Sequence, residues 1–254
     1  WNNSTSWASS AFDEAGGRVP AERRGLTAFG RKVVQRMNAL GMIVDLSHVG
    51  EQTFSDVLQV ATRPVIASHS CVYALNPVPR NLKDEQIKAI ARTGGVVQLN
   101  FYAGFLDPSF HLAEQAYNLE KAQRLAETEK SGGMTSAERN RLEYTYDSLL
   151  QAQRPSLAVL LDHLDYIVRL VGVDHAGLGS DFDGITYAPR ELNSVADFPL
   201  ITRGLKKRGY SRKDIKKDPG GKFYPGLPGQ YRSIWGFAGW QATGVMLEIN
   251  ESAA

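Results

Sequence analysis

Met42-Ile43-Val44-Asp45-Leu46-Ser47-His48 and the later Pro64-Val65-Ile66-Ala67-Ser68-His69 decide the fold. Each run is too continuously apolar for a half-exposed strand and too short for a helix, and each closes on polar residues. Both therefore read as buried strands. Gly95-Val96-Val97-Gln98-Leu99-Asn100-Phe101-Tyr102 and His175-Ala176-Gly177-Leu178-Gly179-Ser180-Asp181-Phe182 follow the same design. Helical patterns separate them. Thr27 is placed to cap a helix running to about Leu40, with Phe29, Val33, Val34, Met37 and Leu40 on one stripe and Gly41 at the left-handed stop. Glu51 to Ala61, Leu82 to Thr93 and Ser156 to Val171 repeat the helical spacing. Strict alternation of helix and strand predicts a parallel sheet with right-handed crossovers.

Strand starts fall at 42, 64, 95 and about 175, so the last interval carries an excess, Gly104 to Arg154. That excess is charged and rich in Ala, Leu and Glu, with Gly132-Gly133 dividing it into two helical halves. It reads as a helical insertion over one end of the sheet. From Asp218 the chain changes character, and Pro and Gly crowd a segment with no clear period.

Composition narrows the classes of function. Hydrophobic residues make up 43% and charged residues 22%, as in a soluble globular chain. Lys and Arg number 29 against 27 Asp and Glu, a balance that gives no electrostatic footprint for nucleic acid or an anionic membrane. The single cysteine, Cys71, excludes an internal disulfide framework and a Cys-rich zinc ribbon, and it reads as a small buried side chain. No apolar stretch is long enough for a transmembrane helix. The cytoplasm is the default compartment, although a signal before Trp1 would not be visible.

Polar side chains gather at the strand C-termini: His48, His69, Asn100 with Tyr102, and Asp181 with Asp183. Parallel α/β folds build their sites there, where loops converge and helix N-termini point. Two histidines at neighbouring strand ends can approach one metal ion, and a carboxylate can complete or activate such a site. Each residue also has a structural alternative. Either histidine could simply be hydrogen-bonded, Asp181 and Asp183 could close an Asx turn, and Arg80 could salt-bridge a helix. His111, His163 and His175 read as structural or solvated.

Gly25-Leu26-Thr27-Ala28-Phe29-Gly30, Asp45-Leu46-Ser47-His48, Ile66-Ala67-Ser68-His69-Ser70, Pro79-Arg80-Asn81-Leu82, Gly94-Gly95-Val96 and Gly179-Ser180-Asp181-Phe182-Asp183-Gly184 occur in the order found in the membrane (renal) dipeptidase family of zinc peptidases (peptidase family M19). The chain resembles that family over about residues 1–103 and 156–217. The resemblance implies a (β/α)8 TIM-type barrel that hydrolyses free dipeptides with two zinc ions and a metal-bridging hydroxide. It further implies that His48 and His69 ligate the second zinc, that Arg80 holds the dipeptide carboxylate, and that Asp181 contacts the substrate amine and passes a proton to the leaving nitrogen. A homodimer is the family's common state.

Three departures accompany the resemblance. The family's early His-x-Asp motif and bridging Glu would precede Trp1, so about strands five to eight are expected here, and the isolated chain is expected to be inactive. A histidine that polarises the scissile carbonyl in several members falls at Trp1. After Lys217 the family's usual ending is replaced, and one inserted base with permitted codons would account for the change through Gly229. Residues 1–217 are therefore expected to be barrel and 218–254 an irregular tail translated out of frame. The alternatives are another metal-dependent amidohydrolase on the same barrel and a barrel-derived binding protein without catalysis.

Overall fold

A computed structural model describes residues 4–130 and 133–215. The proposed tail, 218–254, lies outside the described residues. The chain begins with a short helix α1 (Ala11–Ala15) and a single 3-10 turn, then α2 (Ala28–Leu40), β1 (Val44–Asp45), α3 (Glu51–Val60) and β2 (Val65–Ala67). Next come α4 (Asp84–Arg92), β3 (Val96–Leu99), α5 (Ala103–Leu106), α6 (Pro108–Lys130), α7 (Ser136–Gln153) and α8 (Leu157–Val171). The series closes with β4 (Ala176–Leu178), α9 (Phe198–Lys207) and α10 (Arg212–Ile215).

The sheet order is β1-β2-β3-β4, and every neighbouring pair is parallel. All four expected strands are present, trimmed to their most buried residues. Backbone ladders continue past the strands, from Leu46 N to Ile66 O at 2.7 Å and from Gly179 N to Leu99 O at 2.9 Å. Helices α4 and α8 pack on β3, and α2 packs on β1. Val34, Val57, Val65, Ile87, Ile90, Leu99, Leu160 and Ile167 are fully buried between these layers. Each such side chain contributes about 1.5–3 kcal/mol by leaving water.

Local signals set the helix ends. The Thr27 hydroxyl accepts from Gly30 N at 3.2 Å, and Gly41 stops α2 at φ 73°, a left-handed value that glycine adopts without strain. The stripe expected on α2 needs correction. Val34 is buried, but Phe29 and Leu40 are 62% and 54% exposed. These two side chains, with Val33, Met37, Met42 and Trp7, line an open apolar groove beside β1, whose outer edge has no strand neighbour among the described residues.

The stretch 104–154 holds two long helices, α6 and α7, packed on one another with Tyr117 and Tyr146 in ring contact. It also grips the loop after β4. Arg154 Nε donates to Ala188 O at 2.7 Å, its Nη2 donates to Pro189 O at 2.8 Å, and Tyr187 Oη donates to Asp147 at 2.9 Å. His175 falls in a 3-10 turn just before β4, one step short of the strand it was expected to begin.

His163 on α8 ties three segments together. Its Nδ1 accepts from Val72 N at 3.1 Å, so Nε2 carries the proton and donates to Leu106 O at 2.9 Å. Burial lowers its pKa. The unfolded chain takes up a proton below the ordinary histidine value near 6.5 while the native ring resists it. Stability is therefore whole above that pH and falls as pH drops through it, by at most about 1.4 kcal/mol per unit for one proton. Urea unfolding of wild type and His163→Gln between pH 8 and pH 5.5 checks this. The variant should show a shallower loss toward acid, and equal slopes would contradict it.

Candidate metal centre

The parallel register delivers the sequence-predicted residues to the carboxyl end of the sheet. His48 and His69 meet there, Nε2 to Nε2 at 2.7 Å, with ring centroids 4.8 Å apart. Two protonated imidazoles could not face each other so closely, so at least one bare nitrogen points at its neighbour. Burial and then the Arg80 guanidinium hold His48 down to about 3. The same two causes lower His69, against the opposing pull of Asp181 and Asp45. Neutral imidazole is the form that binds a metal.

Backbone strain coincides with the site. Among the described residues His48 (φ 72°) and Asp181 (φ 61°) are the non-glycine positions in left-handed conformation. Such conformations cost of order 1 kcal/mol or more and persist where surrounding contacts enforce them. At His48 the enforcement comes from the N-terminal segment, since Ala11 N donates to His48 O at 2.8 Å and Gly50 N to Ser9 O at 3.0 Å. At Asp181 it comes from the turn closed by Gly184 N to Asp181 O at 2.9 Å. The Asp181 carboxyl meanwhile accepts from Asn100 Nδ2 at 3.0 Å, and Asn100 Oδ1 accepts from Tyr102 N at 2.6 Å. Ser68, His69, Gln98, Gly179, Ser180 and Asp181 contribute to one cleft. Asp183 is exposed.

Arg80 is 3% exposed and has no ion-pair partner among the described residues, so it does not salt-bridge a helix. Its Nη2 donates to His69 O at 3.1 Å, its Nη1 reaches Ser70 Oγ at 3.4 Å, and its Nε finds no partner among the described residues. The guanidinium lies over the Phe105 ring, 5.3 Å from its centroid. Burial pulls its pKa down to about 10, which leaves it charged at neutral pH. A buried cation without a counter-ion suits an anionic ligand. Cys71 is buried, donates to Asn100 O at 3.2 Å, and is raised to about 12 by burial, so it is a structural thiol.

Sequence reasoning missed the support around these groups. Ser68 bonds His69, Asp45 bonds Ser68 and Phe105 lies against Arg80, yet none of the three is assigned a role by the sequence, and Asn100 stands there only as a polar strand end. The histidine pair offers two nitrogens to a divalent ion, a set that fits zinc in ligand type. Among the described residues no cluster of three or more His, Cys, Asp or Glu side chains is placed to hold a metal. The described residues thus bring two histidines, and no third such ligand, together at this rim.

A parallel α/β domain with paired neutral imidazoles at its strand C-termini has the make-up of a metallohydrolase. The family model for membrane dipeptidase (peptidase family M19) matches residues 1–223, and the chain belongs to that family, a family of metallopeptidases. Residues 224–254 lie beyond the match. A Klebsiella pneumoniae protein described as an uncharacterized protein in the pqqA 5′ region is 35% identical over 193 residues, covering 76% of this chain and 56% of its own length. Dipeptidase aclJ of Aspergillus oryzae is 32% identical over 209 residues, covering 82% of this chain and 40% of its own. The chain thus spans about half or less of these relatives. A crystal structure of a Rhodobacter sphaeroides metallopeptidase liganded with a phosphinate mimic of the dipeptide L-Ala-D-Ala superposes with a TM-score of 0.57 at 29% identity. That match covers 76% of this chain and 44% of the other. Among the described residues no helix is long and apolar enough to cross a membrane.

Gly179 tests the close packing behind the site. A Cβ there would strike the Ser68 carbonyl oxygen and lie 3.1 Å from Gln98 Cβ. Gly179→Ala should cost about 1–3 kcal/mol, as overpacked positions do, read as a lower urea midpoint. An unchanged midpoint would show that the approach is not tight.

Proposed function

We propose that the chain carries the second-metal and substrate-carboxylate portion of a zinc dipeptidase built on a (β/α)8 barrel, its four strands corresponding to strands five to eight. The observation that carries this reading is the convergence of two imidazoles beside a buried guanidinium that has no ion-pair partner among the described residues. Membership of the family and the dipeptide mimic bound to the Rhodobacter sphaeroides enzyme support the substrate class. His48 and His69 would hold zinc through their Nε2 atoms. When bound, zinc supplies a Lewis acid for the scissile carbonyl and lowers the pKa of a water molecule.

The chain's own residues do the rest. Arg80 neutralises the C-terminal carboxylate of the dipeptide, and its planar fork favours a free carboxylate over an amide. Packing on Phe105 and the bond to His69 O hold that fork in place. Asp181, anchored by Asn100 Nδ2, contacts the substrate ammonium, takes the proton that the attacking water gives up and passes it to the leaving nitrogen. Because the described residues bring only two histidines to the centre, the 254-residue chain alone is expected to turn over dipeptides little or not at all.

Zinc titration of the metal-free chain by calorimetry tests the metal half of the reading. Wild type should bind, and His48→Ala or His69→Ala should abolish measurable retention. Retention by both variants would reject the assignment. For the protein at the full length of its relatives, amidating the dipeptide carboxylate should remove about 1.5–3 kcal/mol of charged hydrogen bonding. KM should rise one to two orders of magnitude. Equal turnover of free and amidated dipeptides would reject the role of Arg80.

A further inference from the structure

The two imidazoles of the pair have unlike surroundings. His69 Nδ1 lies 2.7 Å from Ser68 Oγ, and Ser68 Oγ lies 2.6 Å from Asp45 Oδ2. His48 Nδ1 is buried and has no partner among the described residues. A serine hydroxyl owns one proton, so its two short contacts cannot both be donations. Asp45 decides which one is. Its other oxygen accepts from Ser47 N at 3.0 Å and from Ser68 N at 2.9 Å, which makes the carboxyl a collector of donors. Among the described residues the one other acceptor near Ser68 Oγ is Ser47 Oγ, at 3.5 Å, a far weaker contact. The hydroxyl proton therefore points to Asp45, and its lone pair faces the ring.

We propose that Asp45 and Ser68 are positioning residues that fix His69 as its Nδ1–H tautomer, so that the bare Nε2 is presented to the metal. The inference rests on the metal reading above and adds what selects the ligating nitrogen. The chain of bonds crosses two strands. Asp45 closes β1, Ser68 follows β2, and Asp45 sits opposite Ile66 in the parallel register. The ring is thus oriented by the sheet itself, and His69 N is also held, by Ser47 Oγ at 2.9 Å. With His69 Nε2 bare, the proton shared across the 2.7 Å gap belongs to His48 Nε2 in the metal-free chain. Metal loading must then displace that proton, whereas His69 needs no change. Such outer partners of ligating histidines fix the tautomer and raise ligand basicity.

Two readouts separate this inference from the metal reading. In the metal-free chain labelled with 15N-histidine at pH 8, long-range 1H–15N correlation should show His69 protonated at Nδ1 and His48 at Nε2, with signals assigned through His→Gln variants. Ser68→Ala should shift His69 to a mixed or Nε2–H tautomer and weaken zinc binding roughly 10–100-fold. Ser68→Thr, which keeps the hydroxyl, should retain both properties and so separates the relay from general damage to the fold. An Nε2–H tautomer of His69 in wild type would overturn the proposal. So would a Ser68→Ala chain with unchanged tautomer and zinc affinity. A wild type that shows the expected tautomer but binds no zinc would instead contradict the two-histidine metal assignment and leave the relay standing.

Discussion

Everything at the candidate centre depends on the parallel register of four strands. Val44 faces Val65, Ile66 faces Val96, and Val97 faces Ala176. Because all strands run one way, their carboxyl ends share one rim, and His48, His69, Asn100 and Asp181 arrive there together. Side chains alternate with a period of two, so a one-residue slip would turn each onto the other face. Burial on both faces makes such a slip costly, and the ladder bonds that continue beyond the strands extend the alignment to the reactive residues. Glycine completes the geometry at Gly179, where the Ser68 carbonyl occupies the space a side chain would need.

That rim is electrostatically unbalanced. Arg80 brings a positive charge into a buried position with no ion-pair carboxylate among the described residues, and burial, reinforced by that charge, lowers the pKa of both imidazoles. His48 and Asp181 sit in left-handed backbone. An orphaned guanidinium nitrogen, an orphaned imidazole nitrogen and two strained residues within one site are costs that a purely structural arrangement would shed. A carboxylate at the guanidinium would relieve the first of these costs.

Much of the fold was legible in the amino-acid sequence because its signals are local. The strands announce themselves as apolar runs closed by polar ends, and α2 by Thr27 and Gly41. His48, His69, Arg80 and Asp181 were legible through motif order, and the rim position of the histidines and Asp181 through strand order. What was not legible depends on residues distant in the chain. Nothing near Arg154 predicts that it will bind the carbonyls of Ala188 and Pro189, nor does anything around Asp45 say that Ser68 will hydrogen-bond to it. The exposure of Phe29 and Leu40 was hidden for a related reason. Helical periodicity identifies a stripe but not whether a neighbour covers it, and here the stripe faces an open groove.

The central claim is that His48 and His69 together bind one divalent ion. X-ray absorption at the zinc edge, on the chain loaded with one equivalent of zinc, tests it most directly. The account predicts two imidazole nitrogens at about 2.0–2.1 Å, and no zinc retained by either His48→Ala or His69→Ala. A spectrum with no imidazole scattering, or one unaffected by either substitution, would contradict it.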